Sequence, residues 1–272
     1  MIARAKKARA KAAKAPHAEA GEPIIQVEDL RASYGTRTIV RDVSFTVLRG
    51  EIFGVLGGSG SGKSTLLKHM IGLHKPAAGR ILIDGSDLSA ATGADRVKLL
   101  RSFGVSYQRG ALFGNMTLAE NVRLPLEEFT ALPEEAIEEV AALKLGLVGL
   151  GNALDSLPGE ISGGMLKRAA IARAMALDPK ILFLDEPSAG LDPVTSAELD
   201  RLILELRQTL GITFVLVTHE LASILAICDR VIMIDRGKKS IIAEGDPRAL
   251  RDHATDPIVH AFFHREPVAA EN

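Results

Sequence analysis

Residues 57–64 read GGSGSGKS and fit the pattern G-x-x-x-x-G-K-[ST] of a phosphate-binding loop. The apolar run EIFGVL at 51–56 precedes them, and a segment with helical periodicity follows at 64–73. A strand, a glycine-rich turn and a helix in this order direct backbone N–H groups and a helix N-terminus at one anion. Lys63 can reach the β- and γ-phosphates, and the Ser64 hydroxyl can bind Mg²⁺. This stretch predicts nucleoside triphosphate chemistry without saying which reaction.

A pair of acids follows a second buried run. The run is ILFL at 181–184, and Asp185 and Glu186 come directly after it. Ligands bind at the C-terminal ends of strands in open α/β sheets. Asp185 is therefore the expected Mg²⁺-side carboxylate, and Glu186 is placed to polarise a water that attacks the γ-phosphate. A solvated turn is the ordinary alternative, and the phosphate-binding loop upstream makes it the weaker one.

The remaining pattern alternates strands with helices. Residues 24–32 and 39–48 alternate apolar and polar positions, as half-buried strands do. Further strands are predicted at 80–84, 213–217 and 231–234, and helices at 134–148, 163–177, 195–209 and 220–227. Buried strands separated by helices predict an α/β fold with a parallel-sheet core.

Composition excludes several classes of protein. The chain has 272 residues, of which 47% are hydrophobic and 25% charged, as in an ordinary globular protein. No stretch approaches 18 uninterrupted apolar residues, which argues against a membrane-spanning chain. The net charge of −1 suggests no nucleic-acid partner. The single cysteine, Cys228, cannot form an internal disulfide, which fits a reducing compartment such as the cytoplasm.

Both ends of the chain differ from its middle. Residues 1–20 are basic and lack the apolar run of a secretory signal. They read as a solvated tail, with contact to anionic lipid or a partner as the alternative. Near the other end, Phe262 and Phe263 are predicted either to anchor against another subunit or to pack on their own core. His253, His260 and His264 have metal-like spacing, but a tail without a metal site is the stronger interpretation.

One further motif carries a family resemblance. Ser162, Gly163 and Gly164 open a predicted helix and alone indicate only a helix cap. They stand between the phosphate-binding loop and the Asp185–Glu186 pair. In this arrangement the chain resembles the ATP-binding cassette (ABC) ATPases, whose signature typically reads LSGGQ and here reads ISGGM. The resemblance covers about residues 24–250.

The resemblance implies a fold and its boundaries. The fold is a P-loop NTPase with a RecA-like parallel-sheet core, an antiparallel β subdomain and an inserted α-helical subdomain. The expected ATPase domain spans 21–250, with the helical subdomain at about 109–177. A basic flexible tail at 1–20 and a C-terminal extension at 251–272 flank it.

The resemblance also implies roles for individual residues. Tyr34 would stack on adenine, Gln108 would contact Mg²⁺ and the attacking water, and His219 would contact the γ-phosphate. Asp192 matches the loop that crosses the dimer interface. The implied catalytic residues are Glu186, His219, Gln108 and Lys63, and the implied Mg²⁺ ligands are Ser64, Gln108 and Asp185. The implied nucleotide-binding residues are Tyr34, Gly57, Gly58, Ser59, Gly60, Ser61, Gly62, Lys63, Ser64, Thr65, Ser162, Gly163, Gly164 and Asp192.

The implied cofactors are ATP and Mg²⁺, and the implied partners are a second copy of the chain and a membrane permease. In this family two chains sandwich two ATP molecules, and Ser162–Gly164 complete the partner's site. A groove between the core and the helical subdomain, near Gln108, receives a cytoplasmic helix of the permease. The expected location is therefore peripheral, on the cytoplasmic face of the inner membrane, and no nucleic acid is expected.

Details of the motifs resemble one branch of the family. Met165 stands where glutamine is usual, RGALF at 109–113 follows Gln108, and MLKRAA fills 165–170. This combination is similar to the Mla/MCE branch, which powers phospholipid traffic in the bacterial envelope. That branch would add an MCE-domain lipid-binding protein and a small accessory subunit. The alternatives are an importer of a polar solute such as an amino acid, a non-transport ABC ATPase acting on DNA or ribosomes, and a P-loop kinase of a small metabolite.

Overall fold

The computed structural model describes residues 21–34, 37–108 and 110–267. Within these ranges the strands are β1 (Pro23–Tyr34), β2 (Arg37–Leu48), β3 (Ile52–Leu56), β4 (Ala78–Ile83), β5 (Ser86–Asp87), β6 (Phe103–Ser106), β7 (Ile181–Asp185), β8 (Thr213–Val217), β9 (Arg230–Ile234) and β10 (Ile241–Gly245). The helices are α1 (Lys63–Met70), α2 (Gly93–Leu100), α3 (Leu118–Phe129), α4 (Glu134–Leu147), α5 (Gly163–Ala174), α6 (Pro193–Leu210), α7 (Leu221–Ile227), α8 (Pro247–His253) and α9 (Pro257–His264), with a 3₁₀ turn at Pro158–Glu160.

A six-stranded sheet forms the centre of the molecule, in the order β10-β9-β3-β8-β7-β6. Neighbouring strands from β9 to β6 are parallel, and β10 is antiparallel to β9. Because their direction is shared, the C-terminal ends of β3, β7 and β8 lie at one edge. This sheet confirms the predicted parallel α/β core.

A second sheet has the order β2-β1-β4-β5 and is antiparallel throughout. Together with the helices inserted after β6, it confirms the predicted three-part architecture. The central strands separate two hydrophobic cores. Ile52 and Leu56 of β3 belong to the core on the side of α3–α7, whereas Phe53 and Val55 belong to the core shared with the antiparallel sheet. Side chains alternate across a strand, so a strand buried on both faces is apolar at every position.

Helices α3, α4 and α5 are inserted between β6 and β7. The insertion has its own electrostatic links: Arg123 of α3 bonds Glu127, Glu134 and Glu138, and Lys144 of α4 bonds Asp178 beyond α5. This is the region expected to be the helical subdomain, and its bounds at about 109–177 remain a proposal.

The C-terminal helices return to the main core. Phe263 of α9 is buried in it, and Phe262 packs against it. The structure therefore favours packing on the chain's own core over anchoring to another subunit. The proposed boundary at residue 250 falls inside α8.

No helix among the described residues has both the length and the apolar character needed to cross a membrane. The predicted tail at 1–20 lies outside the described residues, as do the last five residues of the proposed 251–272 extension.

Candidate functional site

The phosphate-binding loop joins β3 to α1. Gly57, Gly60 and Gly62 have φ values of 148°, 73° and 107°, which strongly favour glycine. A Cβ on Gly57 would lie 2.4 Å from the Ile234 carbonyl oxygen, and one on Gly62 would lie 2.7 Å from Val40 Cγ1. The loop is therefore wedged between β9 and β2. Gly58, Ser59 and Gly60 remain exposed at its rim, while Ser61 is buried.

Lys63 begins α1 and reaches back across the loop. Its Nζ donates to the carbonyl oxygens of Gly57 at 2.8 Å and Gly58 at 3.1 Å. Burial lowers the pKa of the ammonium, while the charges of Glu186 and Asp185 oppose this shift. The phosphate-binding loop and the acid pair thus lie within electrostatic reach of each other.

Asp185 ends β7 with a half-buried side chain. Burial raises the pKa of its carboxyl, as does the neighbouring Glu186, whereas Lys63, Lys68 and Lys167 oppose this shift. Asp185 Oδ1 is fully enclosed without a hydrogen-bond partner. Buried acceptors are nearly always satisfied in proteins, so an unpartnered carboxylate oxygen beside a phosphate-binding loop fits a cation ligand.

Glu186 follows in a left-handed backbone conformation, with φ 48°. Its N–H donates to the Val217 carbonyl oxygen at 2.7 Å, which ties it to the end of β8. Its Oε1 lies 2.8 Å from Nδ1 of His219, and its Oε2 is buried without a partner. His219 itself is largely exposed, with 57% of its side chain accessible. The pair therefore presents an exposed imidazole backed by a buried carboxylate.

Gln108 lies just beyond β6, at the start of the loop that leads to α3. Its carbonyl oxygen accepts a hydrogen bond from the Lys167 ammonium. Arg173 donates to the carbonyl oxygens of Ala111 and Gly110 farther along this loop. The side-chain amide of Asn121 in α3 bonds the Phe113 backbone twice: its oxygen accepts from the Phe113 N–H, and its nitrogen donates to the Phe113 carbonyl oxygen. Arg109 lies outside the described residues, and so does the side chain of Tyr34.

Ser162 caps α5, where its Oγ accepts from the Met165 N–H at 3.2 Å. Asp192 caps α6 and accepts from the Val194 and Thr195 N–H groups. The two helix starts meet: a Cβ on Gly164 would lie 2.6 Å from Thr195 Cγ2, and one on Gly163 would lie 3.6 Å from Leu191. The signature residues and the Asp192 loop therefore form one continuous surface.

The structure thus divides the expected residues into two groups. In the first, Lys63, Asp185 and Glu186 interact through their charges, and Glu186 contacts His219. Lys167 joins Gln108 to Glu186 through their carbonyl oxygens. Ser162–Gly164 and Asp192 form the second group on α5 and α6. Ser64 and Thr65 occupy the first turn of α1, beside Lys63.

Sequence reasoning missed Lys167, Arg173 and Thr195. Lys167 and Arg173 bond the loop after β6, and Thr195 lies against Gly164, all across long sequence distances that no local pattern encodes. Only the position of Lys167 within the helix that follows the signature could have drawn attention to it.

The arrangement fits a nucleotide with a metal ion. The backbone N–H groups of a glycine-rich loop, a lysine ammonium and a helix N-terminus together suit the binding of phosphate groups. Ser64, Asp185 and Gln108, the predicted metal ligands, carry hard oxygen atoms of the kind that Mg²⁺ prefers. The described residues contain no group of three or more His, Cys, Asp or Glu placed to hold a metal, including the C-terminal histidines. There, the rings of His260 and His264 stack on each other.

Comparison with known proteins defines the class. The profile of the ABC transporter family matches residues 40–189, from β2 to the turn after Glu186. The match covers more than half of the chain and includes the phosphate-binding loop, the signature and the acid pair. The chain belongs to the ABC transporter family.

Individual members of the family are similar to this chain over most of its length. The intermembrane phospholipid transport system ATP-binding protein MlaF of Escherichia coli is 38% identical over 88% of this chain and 88% of its own length. The probable ribonucleotide transport ATP-binding protein Mkl of Mycobacterium tuberculosis is 41% identical over 88% of this chain, which spans 66% of Mkl. Both relatives are named as ATP-binding proteins of transport systems.

A solved structure of an ATP-binding cassette is similar to this chain in fold. The ATP-binding cassette MJ0796, in a dimeric post-hydrolysis state bound to ADP and phosphate, superposes with a TM-score of 0.73 at 29% identity. The match covers 82% of this chain and 98% of that one.

Proposed function

We propose that this chain hydrolyses ATP to ADP and phosphate and thereby powers a separate membrane permease that moves phospholipid in the bacterial envelope. The hydrolytic part rests above all on one observation, the contact between Glu186 and His219 beside the phosphate-binding loop. The phospholipid part rests on similarity to MlaF.

Each residue of the site has a chemical task. Lys63 and the N–H groups of the loop bind and orient the β- and γ-phosphates. Mg²⁺, held by Ser64, Asp185 and Gln108, would neutralise developing negative charge when bound. Glu186 polarises the attacking water, and the His219 contact fixes the orientation of its carboxylate. His219 is exposed, and its other ring nitrogen lies 3.9 Å from Glu220 Oε1, beyond hydrogen-bond distance, so this nitrogen can contact the γ-phosphate.

The second group of residues serves a second copy of the chain. Ser162, Gly163 and Gly164 stand at a helix N-terminus, which suits an anion. In the proposed dimer they meet the γ-phosphate held by the partner, and Asp192 lies at the same interface. Closure then requires ATP in both sites, and loss of the γ-phosphate favours opening. The dimeric form of MJ0796 supports this arrangement.

A cavity on the helical insertion offers a surface to the permease. It has a volume of about 450 Å³ and lies between α2 and the ends of α3 and α5. Leu126, Leu132, Val140 and Leu177 give it apolar walls, with Lys98 and Arg101 beside them. The cavity lies beside Ser102, just before β6, whereas Gln108 and the exposed Phe113 come after β6. We assign the permease contact to this cavity and not to the groove that the family resemblance implied near Gln108, with the chain peripheral on the cytoplasmic face of the inner membrane.

The names of the two relatives point to two different cargoes. MlaF is named for phospholipid and Mkl for ribonucleotide. The chain and MlaF cover each other to the same extent, whereas a third of Mkl has no counterpart here. The more even coverage with MlaF, together with the ISGGM signature, favours phospholipid as the cargo. An MCE-domain protein and a small accessory subunit are the additional partners proposed.

The test has two stages. The full chain should hydrolyse ATP only when Mg²⁺ is present, and absence of Mg²⁺-dependent hydrolysis would overturn the enzymatic assignment. A tagged chain is then recovered from native membranes in mild detergent, and the bound chains are identified. A multi-span permease with an MCE-domain protein supports phospholipid transport, whereas a permease with a solute-binding protein would replace phospholipid by a polar solute.

A further inference from the structure

Lys167 is a buried lysine with two main-chain acceptors in two different loops. It lies in the second turn of α5 and is 7% exposed. Its ammonium donates to the Gln108 carbonyl oxygen and, at 3.1 Å, to the Glu186 carbonyl oxygen. One side chain thus joins the loop after β6 to the loop after β7.

Burying the Lys167 ammonium costs free energy. This cost argues that the residue does more than fill space in the core. Removing an ammonium from water is costly unless its donors find acceptors. Burial lowers the Lys167 pKa, and the charges of Glu186 and Asp185 act in the opposite direction. An apolar side chain would fill the same volume without this cost. What the lysine adds is a fixed separation between two carbonyl groups.

The same helix carries the signature at its start. Gly163 and Lys167 are four residues apart, which is about 6 Å along a helix. A helix turn is stiff, so a shift of its N-terminus carries the Lys167 ammonium with it. The Glu186 carbonyl belongs to a residue with φ 48°, a conformation that persists only where its surroundings hold it. Displacement of α5 therefore acts directly on the orientation of Glu186.

We propose that Lys167 is a positioning residue that couples the two ATP sites of the dimer. When Ser162–Gly164 engage the ATP of the partner chain, α5 moves, and Lys167 aligns Gln108 and Glu186 of its own chain. The inference rests on the proposed ATPase dimer. It adds that hydrolysis in one site depends on occupancy of the other through this side chain.

The test compares Lys167→Met, which keeps length and apolar bulk, with Lys167→Arg, which restores a cation with several donors. Lys144→Met is the matched control. Lys144 is also a buried lysine of the insertion, at 4% exposed, but it bonds Asp178 and neither catalytic loop. The full chain is assayed for steady-state hydrolysis against ATP concentration, and ATP affinity is measured separately by titration under conditions where the chain is monomeric.

Lys167→Met should lower kcat at least tenfold and bring the Hill coefficient to about 1, while monomer ATP affinity changes less than twofold. Lys167→Arg should recover at least a third of wild-type kcat, and Lys144→Met should lower Tm with kcat within twofold. If Lys167→Met does not fold, Lys167→Gln is judged by the same criteria. Unchanged kcat and Hill coefficient in the Lys167 variant, an equal loss in Lys144→Met, or no recovery with arginine would each overturn the coupling role. Absence of hydrolysis by the wild-type chain would instead overturn the proposed function itself.

Discussion

Nδ1 of His219 lies 2.8 Å from Oε1 of Glu186, and the two residues come from the ends of adjacent parallel strands. The contact leaves Oε2 as the only free oxygen of the carboxylate, buried and without a partner. Parallel strands place their C-terminal ends at one edge, so residues 33 positions apart in sequence meet. The carboxylate therefore has one oxygen for orientation and one for chemistry.

Replacing Glu186 with Gln should separate these two tasks. The amide oxygen can still accept from His219, so the geometry survives, but it cannot act as a base. Hydrolysis should fall by about 10²–10⁴-fold, as expected for loss of a general base. ATP binding should be retained, and a dimer should accumulate with ATP and be detected by size-exclusion chromatography.

Glu220→Gln is the matched control for this variant. Glu220 lies beside the same histidine, with its Oε1 3.9 Å from Nε2, and 43% of its side chain is accessible. Its replacement should leave turnover within about twofold of wild type. Normal turnover by Glu186→Gln would remove Glu186 from its assigned role.

The contact between Gly164 and Thr195 gives a second prediction. A Cβ on residue 164 would lie 2.6 Å from Thr195 Cγ2, so Gly164→Ala must push the signature away from the Asp192 loop. We expect at least a tenfold loss of hydrolysis with little change in ATP affinity of the monomer. Thr195→Ser removes Cγ2 but keeps the hydroxyl that donates to Asp192. The double variant should therefore recover most of the activity, and a double variant as inactive as Gly164→Ala would show that the clash is not the cause.

The proposed permease surface can be tested with two exposed leucines. Leu132 lines the cavity and is 43% exposed, while Leu210 ends α6 away from it and is 44% exposed. Leu132→Glu should reduce the amount of permease that co-purifies with the chain at least fivefold, since a charge would be buried against an apolar partner. Leu210→Glu should leave it unchanged, and both should hydrolyse ATP as isolated chains. Equal recovery of permease with both variants would place the contact elsewhere.

Asp200 predicts how stability changes with pH. It is buried in α6, and burial raises the pKa of its carboxyl from 3.8 to about 6, although a hydrogen bond from Ser223 lowers it. A carboxyl with a raised folded-state pKa contributes stability below about pH 4, which is lost as pH rises to 6. Asp200→Asn should therefore raise the free energy of unfolding at pH 7.5, by up to about 3 kcal/mol for a shift of this size.

Urea unfolding at pH 4.5 and pH 7.5 measures this effect. The gain of Asp200→Asn over wild type should be larger at pH 7.5 than at pH 4.5. A gain of the same size at both values would mean that the Asp200 carboxyl does not titrate in this window.

Local patterns predicted seven of the ten strands among the described residues, and the roles of the candidate site residues stay a prediction. The phosphate-binding loop and the acid pair are dictated by residues adjacent in sequence, and β3, β7 and β8 are apolar throughout because both faces are buried. Two helix ends were predicted too late. α1 ends at Met70 rather than 73, before a turn with Gly72 at φ 73°, and α5 ends at Ala174 rather than 177.

Other elements were missed for identifiable reasons. β6 has only four residues, too few for a clear period. α3 contains Pro125, which ordinarily argues against a helix, but its capping box of Thr117 and Glu120 is visible in the sequence and could have marked its start. The contacts of Lys167 and of Gly164 join distant segments, and no local signal encodes them.

The left-handed backbone at Glu186 has a consequence for protein engineering. Glycine, asparagine or aspartate tolerate φ 48° better than glutamate does, so selection for thermal stability alone would favour them at this position. None of these side chains reaches as far as glutamate, and glycine and asparagine carry no carboxylate. A library screened only for heat resistance should therefore accumulate inactive variants at residue 186, because folding and turnover make opposite demands on this one residue.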